Sequence, residues 1–150
     1  MDQLHIELVS KMTEEAAKKV ITTGLKEYFR DYDDSFNLDL ENLLDTYQKE
    51  GSILLVAIWN SNVIGTGGLI KESENTGRIV RVSVLKEMRR QHIGDMIMNA
   101  LEKEALKERY HTILLETTST WEKARAFYRH NGYKIIGDRD GNTHFMKKLA

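Results

Sequence analysis

Apolar and polar residues alternate over residues 4–9, LHIELV, which predicts a short, half-buried strand. From residue 13 the period changes. In TEEAAKKVITTGLKEYF the apolar Ala17, Val20, Ile21 and Leu25 recur at three- and four-residue spacing behind acids in the first turn, predicting an amphipathic helix capped by Thr13. A second helix is expected over residues 38–48, closed by Gly51. Two β-rich runs follow, SILLVAIWN and VIGTGGLIK, and Ser61 and Asn62 between them favour a hairpin. Gly65, Gly67 and Gly68 read as a bulge or close backbone packing, not as a phosphate loop, because no helix with a lysine follows.

RIVRVSVL, residues 78–85, is β-branched and strand-like; beyond it Ile93, Ile97, Leu101 and Ala105 form an apolar stripe on a helix running to about Arg109. TILLET, residues 112–117, is nearly continuous apolar sequence, as expected of a strand buried on both faces. Strand, helix and strand in that order predict a βαβ unit with parallel strands. STWEKARAFYRHNGY predicts a helix with a capping box from Ser119 and Glu122 and a left-handed stop at Gly132. YKIIG and THFMKKL, joined across DRDGN, close the chain as an antiparallel pair. The expected fold is α+β: a mixed, mostly antiparallel central sheet of about seven strands flanked by about four helices.

With 150 residues, a formal net charge of -1, 41% hydrophobic and 30% charged residues, the chain has the balance of a single soluble domain over residues 1–150. There is no apolar run of membrane-spanning length and no apolar segment behind a basic start, so a cytoplasmic protein that does not contact membrane is expected. Cysteine is absent, which removes thiolate chemistry and disulfides. His5, His92, His111, His130 and His144 are scattered, without the pairing of a metal-binding helix, so no metal is expected. Proline is absent as well, leaving element ends to glycine, asparagine and capping side chains.

Candidate chemistry concentrates in RRQHIGDMIM, residues 89–98. A helix start presents N–H groups without intrahelical partners and about half a positive charge, so it suits an anion. Gly94 would let a bulky ligand approach the backbone, and Arg89 and Arg90 could add charge-assisted bonds. Equally, the arginines suit a solvated loop and Gly94 a packing role. Asp95 has the wrong sign for a phosphate ligand and is expected to support the helix dipole or face outward.

VSVLKEMRRQHIGDMIMNAL resembles the acetyl-coenzyme A binding motif of the GNAT superfamily of N-acetyltransferases, in which a strand leads through R/Q-x-x-G-x-G/A into a helix. TWEKARAFYRHNGYKIIG resembles the superfamily's following motif, with Ala124, Phe127, Tyr128, Gly132 and Tyr133 in the matching places. The two stand in order and span about residues 78–137. There are two departures: His92 stands where the first motif glycine usually sits, and Trp121 where asparagine is frequent.

The resemblance implies a GNAT-like fold and acetyl transfer from acetyl-coenzyme A to a primary amine of a small molecule or peptide, by direct attack in a ternary complex. It implies that Gln91, His92, Ile93, Gly94 and Asp95 cradle the pyrophosphate, with Arg89 and Arg90 adding charge at the rim. Val82 and Val84 would lie along the pantetheine arm, the Val84 N–H polarising the thioester carbonyl. Trp121, Ala124 and Phe127 would complete the cofactor site, and Tyr128 would protonate the departing thiolate.

The segment from residue 77 to 84 carries no carboxylate, so Glu116 on the next strand is the candidate base. A carboxylate paired with Arg81 or another basic group, and a water relay, are the other readings. RDYDDSFNLDLENLLDTYQ offers Asp31, Asp33, Asp34, Asp39, Glu41 and Asp45 against Arg30, which would attract a cationic acceptor or form a solvated acidic face. Tyr28, Phe29, Phe36 and Trp59 are expected in the core. A non-catalytic acyl-coenzyme A sensing module would share these motifs. The basic residues around RVSVLKEMRR do not make a nucleic-acid site in a net negative chain without a recognition motif. A homodimer is compatible with everything above.

Overall fold

The computed structural model describes residues 4–29 and 38–149. Arg30, Asp31, Asp33, Asp34 and Phe36 lie outside them, as does the side chain of Tyr28. In chain order the elements are β1 (His5–Leu8), α1 (Glu14–Tyr28), a 3-10 turn (Leu38–Leu40), α2 (Leu43–Thr46), β2 (Ile53–Trp59), β3 (Asn62–Ser73) and β4 (Thr76–Val84). A second 3-10 turn (Lys86–Met88) precedes α3 (Ile93–Lys107), β5 (Thr112–Thr118), α4 (Glu122–His130), β6 (Lys134–Arg139) and β7 (Asn142–Lys148). The seven strands form one sheet in the order β1-β2-β3-β4-β5-β7-β6. Every neighbouring pair is antiparallel except β4 and β5. This is the mixed sheet and the parallel βαβ unit that the pattern predicts.

Period-two alternation sends each strand's side chains to two cores. From β2, Leu55 and Ala57 join the cluster beneath α3, while Leu54, Val56 and Ile58 join the one beneath α1 and α2. The α3 stripe of Ile93, Ile97, Leu101 and Ala105 is buried as predicted, together with Met98. The β3 glycines are packing residues: a Cβ on Gly67 would stand 2.5 Å from Ile97 and 2.9 Å from Leu101, so α3 lies almost on the backbone of the strand. Among the described residues no helix is long and apolar enough to cross a membrane.

Several local expectations give way to tertiary contacts. Thr13 precedes α1 without a side-chain cap bond; its Oγ1 accepts from the Ser10 N–H at 2.9 Å instead. The second helix shrinks to the 3-10 turn and the four residues of α2, because Asn42 leaves helical backbone at φ -128, ψ 62. Gly51 sits at φ +81 in the turn before β2, and its carbonyl accepts from the buried Tyr110 hydroxyl at 2.9 Å.

The first hairpin turns on Asn60 and Ser61, one residue earlier than predicted, both at positive φ as a type I′ turn requires. β5 is buried on one face only, with Ile113, Leu115 and Thr117 inward and Glu116 outward. The capping box does not form: the Ser119 hydroxyl reaches Thr143 at 3.0 Å and Asp138 at 3.3 Å, anchoring the loop to the last hairpin. Gly132 ends α4 at φ +90, as expected.

Candidate active site

The two parallel strands pair through only three residues, Thr76↔Thr112, Gly77↔Ile113 and Arg78↔Leu114. A bulge then bends β4. Its register with β3 slips opposite Gly67, where Arg81 takes a left-handed φ of 56. That conformation costs an L-residue about 1–2 kcal/mol. Local bonds oppose the cost: the Arg81 carbonyl accepts from the Thr66 hydroxyl at 2.7 Å, and its guanidinium holds both Asp39 oxygens at 2.6 and 3.0 Å. β5 meanwhile stays paired with β7 along its whole length, from Thr112↔Lys148 to Thr118↔Asn142. One strand bends and the other does not, so a cleft opens between residues 79–84 and residues 116–118.

The cleft has a volume of about 800 Å³. Val82, Val84, Arg89, Arg90, His92, Ile93, Gly94, Asp95, Glu116, Trp121, Ala124, Phe127 and Tyr128 all line it; Gln91 does not. At one end is the start of α3. No backbone carbonyl or capping side chain among the described residues accepts the amides of Ile93, Gly94 and Asp95. Gly94 admits the Phe127 ring, which a Cβ would meet at 2.9 Å, so this glycine joins α4 to the head of α3.

The His92 backbone explains how a histidine stands in a glycine's place. It adopts φ 62, ψ 18, the left-handed state that favours glycine, and its ring swings outward, 83% exposed, with Nδ1 3.1 Å from Asp95. Asp95 also accepts from Asn131 at 3.0 Å and lies 3.8 Å from His130. Burial alone would raise its pKa, but the bonds from His92 and Asn131 and the charge of His130 outweigh it and hold the carboxyl below its ordinary value.

Replacing His92 by Gly should raise unfolding stability by about 0.5–1 kcal/mol, since the strained backbone relaxes and only an exposed side-chain contact is lost. Urea denaturation measures it. A loss of more than about 1 kcal/mol would show that the contact to Asp95 outweighs the strain.

The two arginines have different surroundings. Arg89 is a strut: Nε donates to the Val84 carbonyl at 3.1 Å, and the guanidinium forks onto Glu27 of α1 at 2.7 and 3.0 Å. Arg90 is exposed at φ 67 and makes no ion pair among the described residues.

Beyond Phe127, Tyr128 stacks edge-on against that ring at 5.1 Å and against Tyr133 at 6.3 Å, and lies 5.8 Å from Phe145. Burial pushes the phenol's pKa well above its ordinary value. Glu116 faces the cleft with its side chain 44% exposed. Its neighbours are Arg78 Nη1 at 3.9 Å and His144 Nε2 at 3.6 Å, not Arg81, which is taken by Asp39.

Sequence patterns passed over one wall of the cleft. Ile21, Gly24 and Leu25 line it from α1. Their signal was Gly24, a glycine in mid-helix, whose Cβ would stand 2.6 Å from Ser83 Oγ on β4. Lys123 adds a cationic group and His130 an imidazole from α4. Trp121 closes the mouth against Phe29, ring centroids 5.3 Å apart, so the end of α1 and the start of α4 meet over the cleft. Of the acids proposed to attract a cationic acceptor, Asp39 is consumed by Arg81, and Glu41 and Asp45 are exposed.

A seven-stranded mixed sheet whose parallel strands part around such a cleft has the architecture of the acyl-coenzyme A N-acyltransferases. Three solved structures share it. A GNAT-family acetyltransferase from Staphylococcus aureus superposes with a TM-score of 0.89 at 24% identity, covering 98% of this chain and 99% of that one. The PaiA N-acetyltransferase of Thermoplasma acidophilum, in complex with coenzyme A, gives 0.85 at 20% identity over 97% and 98% of the two chains. An aminoglycoside 6′-N-acetyltransferase complexed with coenzyme A gives 0.79 at 18% identity over 97% of each. The family profile described as Acetyltransferase (GNAT) family matches residues 14–133. The chain belongs to the GNAT family and is an N-acetyltransferase.

Proposed function

We propose that this protein, a single catalytic domain, moves an acetyl group from acetyl-coenzyme A to a primary amine of a small molecule or peptide by direct attack in a ternary complex. The observation that carries the reading is the cleft itself. It runs from three unaccepted amides at the head of α3, past a β4 edge released from β5, to a half-buried phenol and a carboxylate.

In this reading the amides of residues 92–95 hold the pyrophosphate, with Gln91 outside the cleft, and Arg90 adds charge at the rim. Arg89 acts at one remove, holding the Val84 carbonyl so that the backbone of Val82 and Val84 lies along the pantetheine arm. The Val84 N–H polarises the thioester carbonyl. Trp121, Ala124 and Phe127 wall the arm. Tyr128 gives its proton to the departing sulfur, and its burial keeps it protonated until that moment. Glu116 draws a proton from the incoming ammonium. No step is assigned to a metal, nucleic acid or membrane, and the protein acts as a monomer or homodimer in the cytoplasm.

Two measurements test it. Acetyl-coenzyme A at a hundred times its Kd should stabilise the fold by about 2.7 kcal/mol, which for a chain of this size is a rise of roughly 5–10 °C in Tm. Free thiol should appear from acetyl-coenzyme A when polyamines, aminoglycosides, amino acids or peptides are supplied. No protection at millimolar cofactor, or no turnover on any amine, rejects the proposal.

A further inference from the structure

Glu116 is not alone on the outer face of β5. His144 of β7 is its cross-strand partner, and Nε2 lies 3.6 Å from Glu116 Oε2. The two differ in exposure, His144 at 16% and Glu116 at 44%. Glu116 lines the cleft and His144 does not. A carboxylate is therefore in reach of the acceptor, with an imidazole in contact behind it.

The surrounding charges come from each neighbouring strand. On β4, Arg78 reaches Glu116 Oε1 at 3.9 Å while its Nε is bound to Glu72 at 2.6 Å. On β6, the register partner of His144 is Gly137, while Asp138 pairs with Thr143, whose hydroxyl donates to it at 2.6 Å, and accepts from Ser119 at 3.3 Å. Glu116 is thus the carboxylate in contact with the His144 imidazole.

We propose that Glu116 and His144 act as one proton-accepting unit, in which Glu116 carries the proton of the acceptor ammonium from the cleft to His144 Nε2. The inference rests on the acetyl-transfer reading above. A lone carboxylate is a poor acceptor for an ammonium proton, since their ordinary pKa values lie about six units apart; an imidazole narrows the gap by about two. One ammonium N–H bond breaks, an imidazole N–H bond forms, and that proton passes to water as the net proton released. The neutral amine then attacks the thioester. Its second proton, lost as the C–S bond breaks, replaces the one that Tyr128 gives to the sulfur.

The test compares wild type, His144→Gln and His144→Ala on whichever amine turns over fastest, reading kcat/KM against pH, with thermal protection by acetyl-coenzyme A as the control for folding and cofactor binding. His144→Gln should lower kcat/KM about tenfold to a hundredfold at pH 7 and remove the limb that titrates in the histidine range, leaving protection unchanged. Added imidazole should restore part of the rate to His144→Ala. In NMR titrations of the imidazole nitrogens, Glu116→Gln should move the His144 midpoint downward, since the negative charge 3.6 Å away is removed. A wild-type rate and pH profile in His144→Gln overturns the proton-accepting unit and leaves acetyl transfer standing. Absence of turnover in the wild type overturns both, and a His144 midpoint unmoved by Glu116→Gln refutes the coupling whatever the rates.

Discussion

Tyr128→Phe is expected to lower kcat for acetyl transfer by about a hundredfold or more while thermal protection by acetyl-coenzyme A stays within a degree or two of wild type. The substitution removes one oxygen. The ring keeps its packing against Phe127, Tyr133 and Phe145, so neither the wall of the cleft nor the core beneath it changes. What is lost is a proton held in place: burial raises the phenol's pKa, so it stays protonated at any ordinary pH and is present when the thiolate departs. Steady-state kinetics beside a thermal shift separate the roles. An unchanged kcat would remove Tyr128 from the acid step, and lost protection would make it a binding residue.

Phe145→Ala should be the most damaging single change to the fold. Phe145 is fully buried at the centre of β7, opposite Leu115 of β5 on one side and Ile135 of β6 on the other. Truncating a buried phenylalanine costs about 3–5 kcal/mol, which here means a Tm lower by roughly 6–20 °C. The same ring supports Tyr128 from 5.8 Å away, so the milder Phe145→Leu should leave a folded protein whose kcat falls more than its cofactor protection. Thermal unfolding and kinetics read both. A loss below about 1 kcal/mol in Phe145→Ala would show that the surrounding side chains collapse into the space.

Much of the fold was legible because its signals are local. The α3 stripe, the parallel strand pair around it and the glycine stop at Gly132 each follow from spacing or from one backbone conformation. The helix caps at Thr13 and Ser119 were not, for a shared reason. Ser119 and Thr13 are sound cap residues by type, but each hydroxyl found another partner, Ser119 across the last hairpin and Thr13 on Ser10. The short α2 illustrates the same competition, since Asp39 and Tyr47 are drawn to Arg81 rather than placed along one continuous helix.

The site divides in the same way. Motif spacing led to the head of α3 and to the aromatic face of α4, and these line one cleft. Spacing did not separate Arg89 from Arg90: adjacent in sequence, one is a strut to α1 and the other faces water. Nor did it reveal the α1 wall or His144.

The sequence by itself determined which elements form, which of their faces are apolar and where a helix begins with free amides, because period, capping chemistry and glycine placement act within a few residues. Only the tertiary structure decided that β4 bulges at Arg81 and parts from β5, and which of several nearby cations each carboxylate meets. The bulge and the ion pairs depend on residues far apart in the chain, Asp39 with Arg81, Glu27 with Arg89 and Glu116 with His144, and no local pattern encodes a meeting that the folded sheet alone brings about.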